Sequence, residues 1–152
     1  NLSFDGTTEL YINSFGITKI ENLDSLVNLT TLDLSYNQLT TIENLDSLVN
    51  LTDLYLNDNQ LTKIENLDSL VNLNALYLSY NQLTTIENLD SLVNLTILNL
   101  SYNQLTTSEF NKLNSWAILA PNNGQIYTPN NTDNFNLSTT YTTLLAKGWT
   151  IY

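Results

Sequence analysis

The nine residues IENLDSLVN occur at 20–28 and again, unchanged, at 42–50, 64–72 and 86–94, each copy starting 22 positions after the last. A period of this length demands a fold in which one unit stacks on itself, because so short a unit cannot bury its own apolar face. Alignment on the period gives five coils, 7–28, 29–50, 51–72, 73–94 and 95–116, sharing the skeleton LxxLxLxxNxLxxIxxLxxLxx.

Within a coil the segments LDL, LYL, LYL and LNL alternate apolar and polar residues, the pattern of a short strand with one buried face. Leu32 and Leu34 then point inward, and Thr31, Asp33 and Ser35 outward. After Gln38 the apolar residues fall three apart, at Leu39, Ile42, Leu45 and Leu48, which fits tight helical turns on a return path. Each coil is thus a strand, a turn and a helical return. Its large aliphatics are covered by the next coil, each contributing about 1.5–3 kcal/mol relative to exposure, before chain entropy is subtracted.

The polar member of the inward set is Asn37, followed by Asn59, Asn81 and Asn103. A buried amide is costly unless bonded, and asparagine carries both acceptor and donors, so a structural ladder of stacked asparagines is expected. The first coil has Phe15 in that place. It reads as an end coil whose ring closes the core.

The skeleton with its asparagine resembles the leucine-rich repeat family, and the 22-residue coil with IxxLxxL on the return is most similar to the SDS22-like and internalin-like subclass. The resemblance covers residues 7 to about 107 and fades where SEFNKL replaces IENLDSL. It implies an α/β solenoid, an arc with a parallel concave sheet and short convex 3-10 segments, and a binding scaffold without chemistry of its own.

Four lysines, no arginine and fifteen acids give a net charge of -11, which repels phosphate backbones and anionic membranes, so neither nucleic acid nor lipid is an expected partner. Cys, His and Met are absent, which removes disulfides, thiolate and imidazole metal sites and Cys or His catalysis. No apolar run approaches the ~20 residues of a membrane span. The chain reads as a non-enzyme with no cofactor and no metal. It begins with Asn1 rather than Met, so a processed product or a piece of a longer chain is expected.

The ends differ from the coils. Residues 1–6 read as a short cap in which Leu2 and Phe4 alternate as an added strand would. Residues 117–152 read as a closing unit of strand, helix and strand within one domain. A helical turn is expected to begin at Thr107 or Ser108. A strand is expected over Gln125 to Thr128, a helix from Thr139 to Lys147 capped by Gly148, and a last strand over Trp149 to Tyr152. The closing unit is similar to those of secreted bacterial and phage repeat proteins. NTDNFN at 131–136 lacks the glycine and closing glutamate of a calcium loop.

Among the three uninterrupted coils, 16 of 22 positions are identical, and five of the six that vary lie on or beside the strand. The return, with Glu43, Asn44, Asp46 and Ser47 expected at the surface, does not vary. Either the strand side is the binding side or the copies are too young for the contrast to carry meaning. The outward residues form columns, Glu9, Thr31, Asp53, Ala75, Ile97 and Tyr11, Asp33, Tyr55, Tyr77, Asn99, with Asn13, Ser35, Asn57, Ser79 and Ser101 beyond them. Tyrosine offers a rigid face and a hydroxyl to proteins and sugars alike, although cross-strand packing alone also explains it. The candidate ligand-binding residues are Tyr11, Asp33, Asp53, Tyr55, Tyr77, Ile97 and Asn99. Tyr36, Tyr80 and Tyr102 are expected to pack over the turn. The columns Glu21, Glu43, Glu65, Glu87 and Asp24, Asp46, Asp68, Asp90 read as a solvated face rather than calcium ligands.

The functional expectation is a recognition module for a protein or carbohydrate, at an extracellular, bacterial or virion surface. Alternatives are an intracellular SDS22-like scaffold in the cytoplasm and a structural subunit of a filament or virion decoration, self-assembling through the solenoid ends or the C-terminal strand. A designed consensus repeat fits poorly with the irregular final 36 residues.

Overall fold

The computed structural model describes residues 6–87, 89–128 and 138–152. Seven short strands, β1 (Glu9–Tyr11), β2 (Thr31–Asp33), β3 (Asp53–Tyr55), β4 (Ala75–Tyr77), β5 (Ile97–Asn99), β6 (Gln125–Tyr127) and β7 (Thr150–Ile151), form one parallel sheet in chain order. The period sets the register. Leu10, Leu32, Leu54, Leu76 and Leu98 lie abreast, and Ile126 and Ile151 continue the row. Parallel neighbours need a crossover, and the invariant return supplies it on the convex side of the arc.

Each return brings leucines back under the sheet. Leu39, Ile42, Leu45 and Leu48 are fully buried, as are their counterparts in the third coil, Leu61, Leu67 and Leu70. The return is a pair of separate turns, closed by Leu48 N–H to Leu45 C=O at 2.9 Å and Leu51 N–H to Leu48 C=O at 3.0 Å. A 3-10 segment needs such bonds on consecutive residues, and here only every third N–H makes one. The expected convex 3-10 segments are therefore single turns in series.

Polar ladders tie coil to coil. Asn59 is buried; its Oδ1 accepts from Leu39 N–H at 3.0 Å, while its Nδ2 donates to the Leu34 and Leu56 carbonyls at 3.0 and 3.1 Å. Asn37, Asn81 and Asn103 repeat the arrangement. A second ladder runs along the return, where Asn44 and Asn66 donate to the carbonyls of Ile20 and Ile42. A third runs beside the sheet, where Asn50, Asn72 and Asn94 each donate at 2.9 Å to a valine carbonyl of the preceding coil.

Phe15 does not close the core. The residue is 73% exposed, and its backbone N–H joins the ladder, donating to Asn37 Oδ1 at 3.1 Å. The residue on this bend faces solvent unless a short amide folds back onto the backbone, which a phenyl ring cannot do. Leu2 and Phe4 of the expected cap, and the NTDNFN segment, lie outside the described residues.

At the other end, α1 (Thr107–Asn111) begins at Thr107 as expected, and Thr106 caps it, its hydroxyl accepting from Glu109 N–H at 3.3 Å. A further helix, α2 (Asn114–Leu119), follows where none was expected. It buries Trp116, whose indole N–H donates to the Leu92 carbonyl at 3.1 Å. Helix α3 (Thr139–Ala146) starts at Ser138, whose hydroxyl accepts from Tyr141 N–H. It ends at Ala146, one residue early, and Gly148 follows with φ +77°; Gly148 N–H reaches Leu145 C=O and Trp149 N–H reaches Leu144 C=O, the paired bonds of a glycine C-cap. This cap extends the sheet by β6 and β7 and covers the last coil.

Candidate functional site

The exposed side of the sheet is built by strand alternation. Leu32, Leu54, Leu76 and Leu98 face the core, and their neighbours on each strand face out. Register brings Tyr11, Asp33, Tyr55, Tyr77 and Asn99 into one row, which Tyr127 and, one residue past β7, Tyr152 continue. Tyr55 and Tyr77 stack with centroids 4.6 Å apart and planes within 3°, and Tyr127 and Tyr152 do so at 4.5 Å. The adjacent row holds Asp53 beside Ala75 and Ala75 beside Ile97; Ala75 is buried, unlike its neighbours. Ser35 and Ser79, expected to point outward, are buried as well, and Ser35 donates its hydroxyl to Asp33 Oδ1 at 2.5 Å.

A second tyrosine row lies just past the strands. Tyr36, Tyr80 and Tyr102 are 58%, 51% and 49% exposed, and Tyr80 stacks on Tyr102 at 4.1 Å. They do not pack over the turn as expected. All three have left-handed backbone, φ 54–55°, as does Asp58 in the same row at 57°. A left-handed residue with a bulky side chain costs roughly 1–2 kcal/mol, and aspartate or asparagine suits the position better. Eight of the nine tyrosines, all but Tyr141, therefore lie on the sheet face or its downstream margin.

The face is acidic, and among the described residues no ion pair joins its acids to a lysine. Glu9, Asp33, Asp53 and Asp58 stand on it, whereas Lys63 pairs with Glu65, Lys112 with Glu109, and Lys147 donates to the Ile118 carbonyl. The Tyr11 phenol is pushed up chiefly by its hydrogen bond to Glu9. Burial raises Tyr55 and Tyr77, with nearby Asp53 adding to both.

A groove of about 790 Å³ runs along the upstream edge of the strands, lined by Thr30, Asn50, Thr52, Asn72 and Asn94 among others. These amides and the Thr30 and Thr52 hydroxyls already donate to the preceding coil, so the groove is a by-product of the ladders. The convex acids stay apart: among the described residues no three metal-ligating side chains converge.

The family model described as Leucine Rich repeats (2 copies) matches residues 8–47, 27–69, 49–91 and 71–115. The chain belongs to the leucine-rich repeat family. Members are typically non-catalytic binding modules. No curated protein sequence matches it. Among solved structures it is similar to internalin C2 from Listeria monocytogenes, at 35% identity and TM-score 0.57 over 65% of this chain and 44% of that one. It is also similar to a chain of the Drosophila melanogaster SNF/U2A′ complex, at 29% identity and TM-score 0.60 over 75% of this chain and 70% of that one. The BIR2 ectodomain from Arabidopsis thaliana matches at 28% identity and TM-score 0.56, over 64% of this chain and 55% of that one. The chain thus spans less than half of the internalin. No helix among the described residues is long and apolar enough to cross a membrane.

Within this leucine-rich repeat chain, two features escaped the sequence reading. Tyr127 and Tyr152 sit 28 and 25 residues past their row neighbours, off the 22-residue period, so alignment on the period cannot find them. The ladders at Asn44 and Asn50 give the constancy of the return a structural cause. The contrast between constant returns and varying strands therefore carries less weight for function than it did from sequence alone.

Proposed function

We propose that this leucine-rich repeat chain is a non-catalytic recognition module that binds a protein partner through the tyrosine-bearing face of its sheet, at a cell or particle surface. The observation that carries the reading is the concentration of eight tyrosines on one face, three of them in backbone that disfavours them and none of those three needed by the core. Exposed aromatic side chains lose little entropy on binding and dominate interface energetics. The likeness to an internalin and to an ectodomain supports an extracellular setting. The SNF/U2A′ likeness supports an intracellular scaffold as the alternative. Stacking of copies end to end has less support, because Phe15 stands where a preceding coil would need the ladder asparagine.

The test is binding of a purified partner, first captured from candidate host or source extracts, to three forms of the chain. Tyr55→Ala with Tyr77→Ala should weaken binding by at least ten-fold while the fold survives, as circular dichroism would show, and Glu43→Gln with Asp46→Asn should leave binding intact. The opposite ranking would move the site to the convex side.

A further inference from the structure

We propose that Asp33 and Asp58 each floor a slot between two tyrosines, and that these slots take lysine or arginine side chains of the protein partner. This rests on the sheet-face reading above and adds the partner's chemistry.

The two tyrosine rows are not continuous. Where tyrosines are neighbours, as at Tyr55 and Tyr77 or Tyr80 and Tyr102, the rings stack at 4.6 and 4.1 Å and admit nothing between them. Where an aspartate intervenes, the flanking tyrosines stand two strand spacings apart, about 9.6 Å. Asp33 stands between Tyr11 and Tyr55 in the first row. Asp58 stands between Tyr36 and Tyr80 in the second, where bonds from Tyr36 N–H to Asn57 C=O and from Asp58 N–H to Ser79 C=O keep the coils in step. A cation centred in such a gap lies about 4.8 Å from each ring plane, inside the ~6 Å reach of a cation–π contact. A carboxylate lies beneath it.

Both carboxylates are oriented and still have an oxygen to offer. Asp33 takes the Ser35 backbone N–H and hydroxyl on Oδ1, and Asp58 takes the Asn57 amide on Oδ2. Asp33 is within electrostatic reach of both Tyr11 and Tyr55, and Asp58 of Tyr80. Among the described residues no ion pair joins a lysine to Asp33 or Asp58, and the chain carries -11 overall, so both carboxylates are open to a cation from outside. A neutral sugar would stack on the tyrosines without using the charge. A carboxylate flanked by aromatic faces suits a guanidinium or ammonium.

The molecule contains its own control. Asn99, between Tyr77 and Tyr127 in the first row, accepts from the Ser101 N–H and hydroxyl on Oδ1, the same turn that Asp33 makes with Ser35, but without the charge. Asp33→Asn therefore removes one charge and keeps a geometry the fold already uses.

The experiment titrates the full chain with a short peptide carrying two arginines and with its counterpart carrying two glutamines, followed by calorimetry and by tyrosine ring resonances. The arginine peptide should bind and lose affinity with added salt. Asp33→Asn and Asp58→Asn should each weaken it about ten-fold, and Asn99→Asp should strengthen it by a similar factor. The slots are overturned if the arginine peptide fails to bind the wild-type chain, if the Asp33→Asn, Asp58→Asn double variant binds it equally well, or if the glutamine peptide or a neutral oligosaccharide binds as tightly. A partner that needs Tyr55 and Tyr77 but ignores both aspartates sinks the slots alone; one that ignores the tyrosines sinks the sheet-face reading itself.

Discussion

The side-chain amide of Asn66 donates to the backbone carbonyl of Ile42, one coil earlier, at 2.6 Å, and Asn66 itself has left-handed backbone at φ 58°. Two demands meet in this residue: a side chain that tolerates the left-handed region, and a donor that reaches the previous coil. Asn66→Ala loses both, and a cost of about 1–3 kcal/mol is expected in urea unfolding. Asn66→Asp keeps the first and loses the second, so it should fall between. An alanine variant as stable as wild type would leave the constancy of the return without this explanation.

Asn59 should matter more. It is buried, and its loss orphans the Leu39 N–H and removes donors from the Leu34 and Leu56 carbonyls, all inside the solenoid. Leaving the Leu39 N–H unpaired costs about 1–3 kcal/mol, and each bond lost from the Leu34 and Leu56 carbonyls, which keep the Asn37 and Asn81 amides, costs about 0.5–1.5 more, so Asn59→Leu is expected to destabilise by roughly 2–5 kcal/mol despite being more hydrophobic. Because contacts run only between neighbouring coils, the variant should also broaden the unfolding transition. A leucine variant less destabilised than Asn66→Ala would contradict this ordering.

A Cβ added to Gly124 would clash with the Trp149 indole at Cζ2. The indole has little room to retreat: it meets Trp116 edge-on at 5.4 Å, and its N–H donates to the Pro121 carbonyl at 2.7 Å. Gly124→Ala should cost about 1–3 kcal/mol by overpacking. Both tryptophans lie in the C-terminal part of the molecule, so their fluorescence should shift while the amide signal of the coils holds. Unaltered tryptophan emission would show that the indole keeps its place and that the added methyl is taken up elsewhere.

The sheet and its register were legible because the signal repeats. Leu32, Leu54, Leu76 and Leu98 occupy one place in four coils, and an error in one would have shown against the others. Single events were harder to read. Helix α2 hides in WAIL, an apolar run too short for its period to distinguish a helix from a strand. Phe15 is apolar but stands on a bend that does not face the core, and apolar character alone does not reveal that. The burial of Ser35 and the left-handed tyrosines depend on where the chain bends after each strand, which alternation does not encode. The rows of the candidate site were half visible: the period places Tyr55 beside Tyr77, but Tyr127 and Tyr152 join only through the cap's own pairing.

The same tyrosines give the sheet face a signature at alkaline pH. Burial is the largest cause that raises Tyr55 and Tyr77 above the ordinary phenol value of 10.0, and Asp53 opposes ionisation of both. A group whose folded pKa is raised holds its proton more tightly in the fold. Its contribution to stability is complete below the unfolded pKa and is lost as pH rises through the folded one. The Tyr55 and Tyr77 ring resonances should therefore report ionisation above pH 10 in the folded chain and near 10 in urea, and stability should begin to fall over that same alkaline window. Asp53→Asn should lower the midpoint of Tyr55 without returning it to the ordinary value, because burial remains. If it returns fully, the neighbouring charge rather than burial governs the face, and the stacked pair is wetter than its geometry implies.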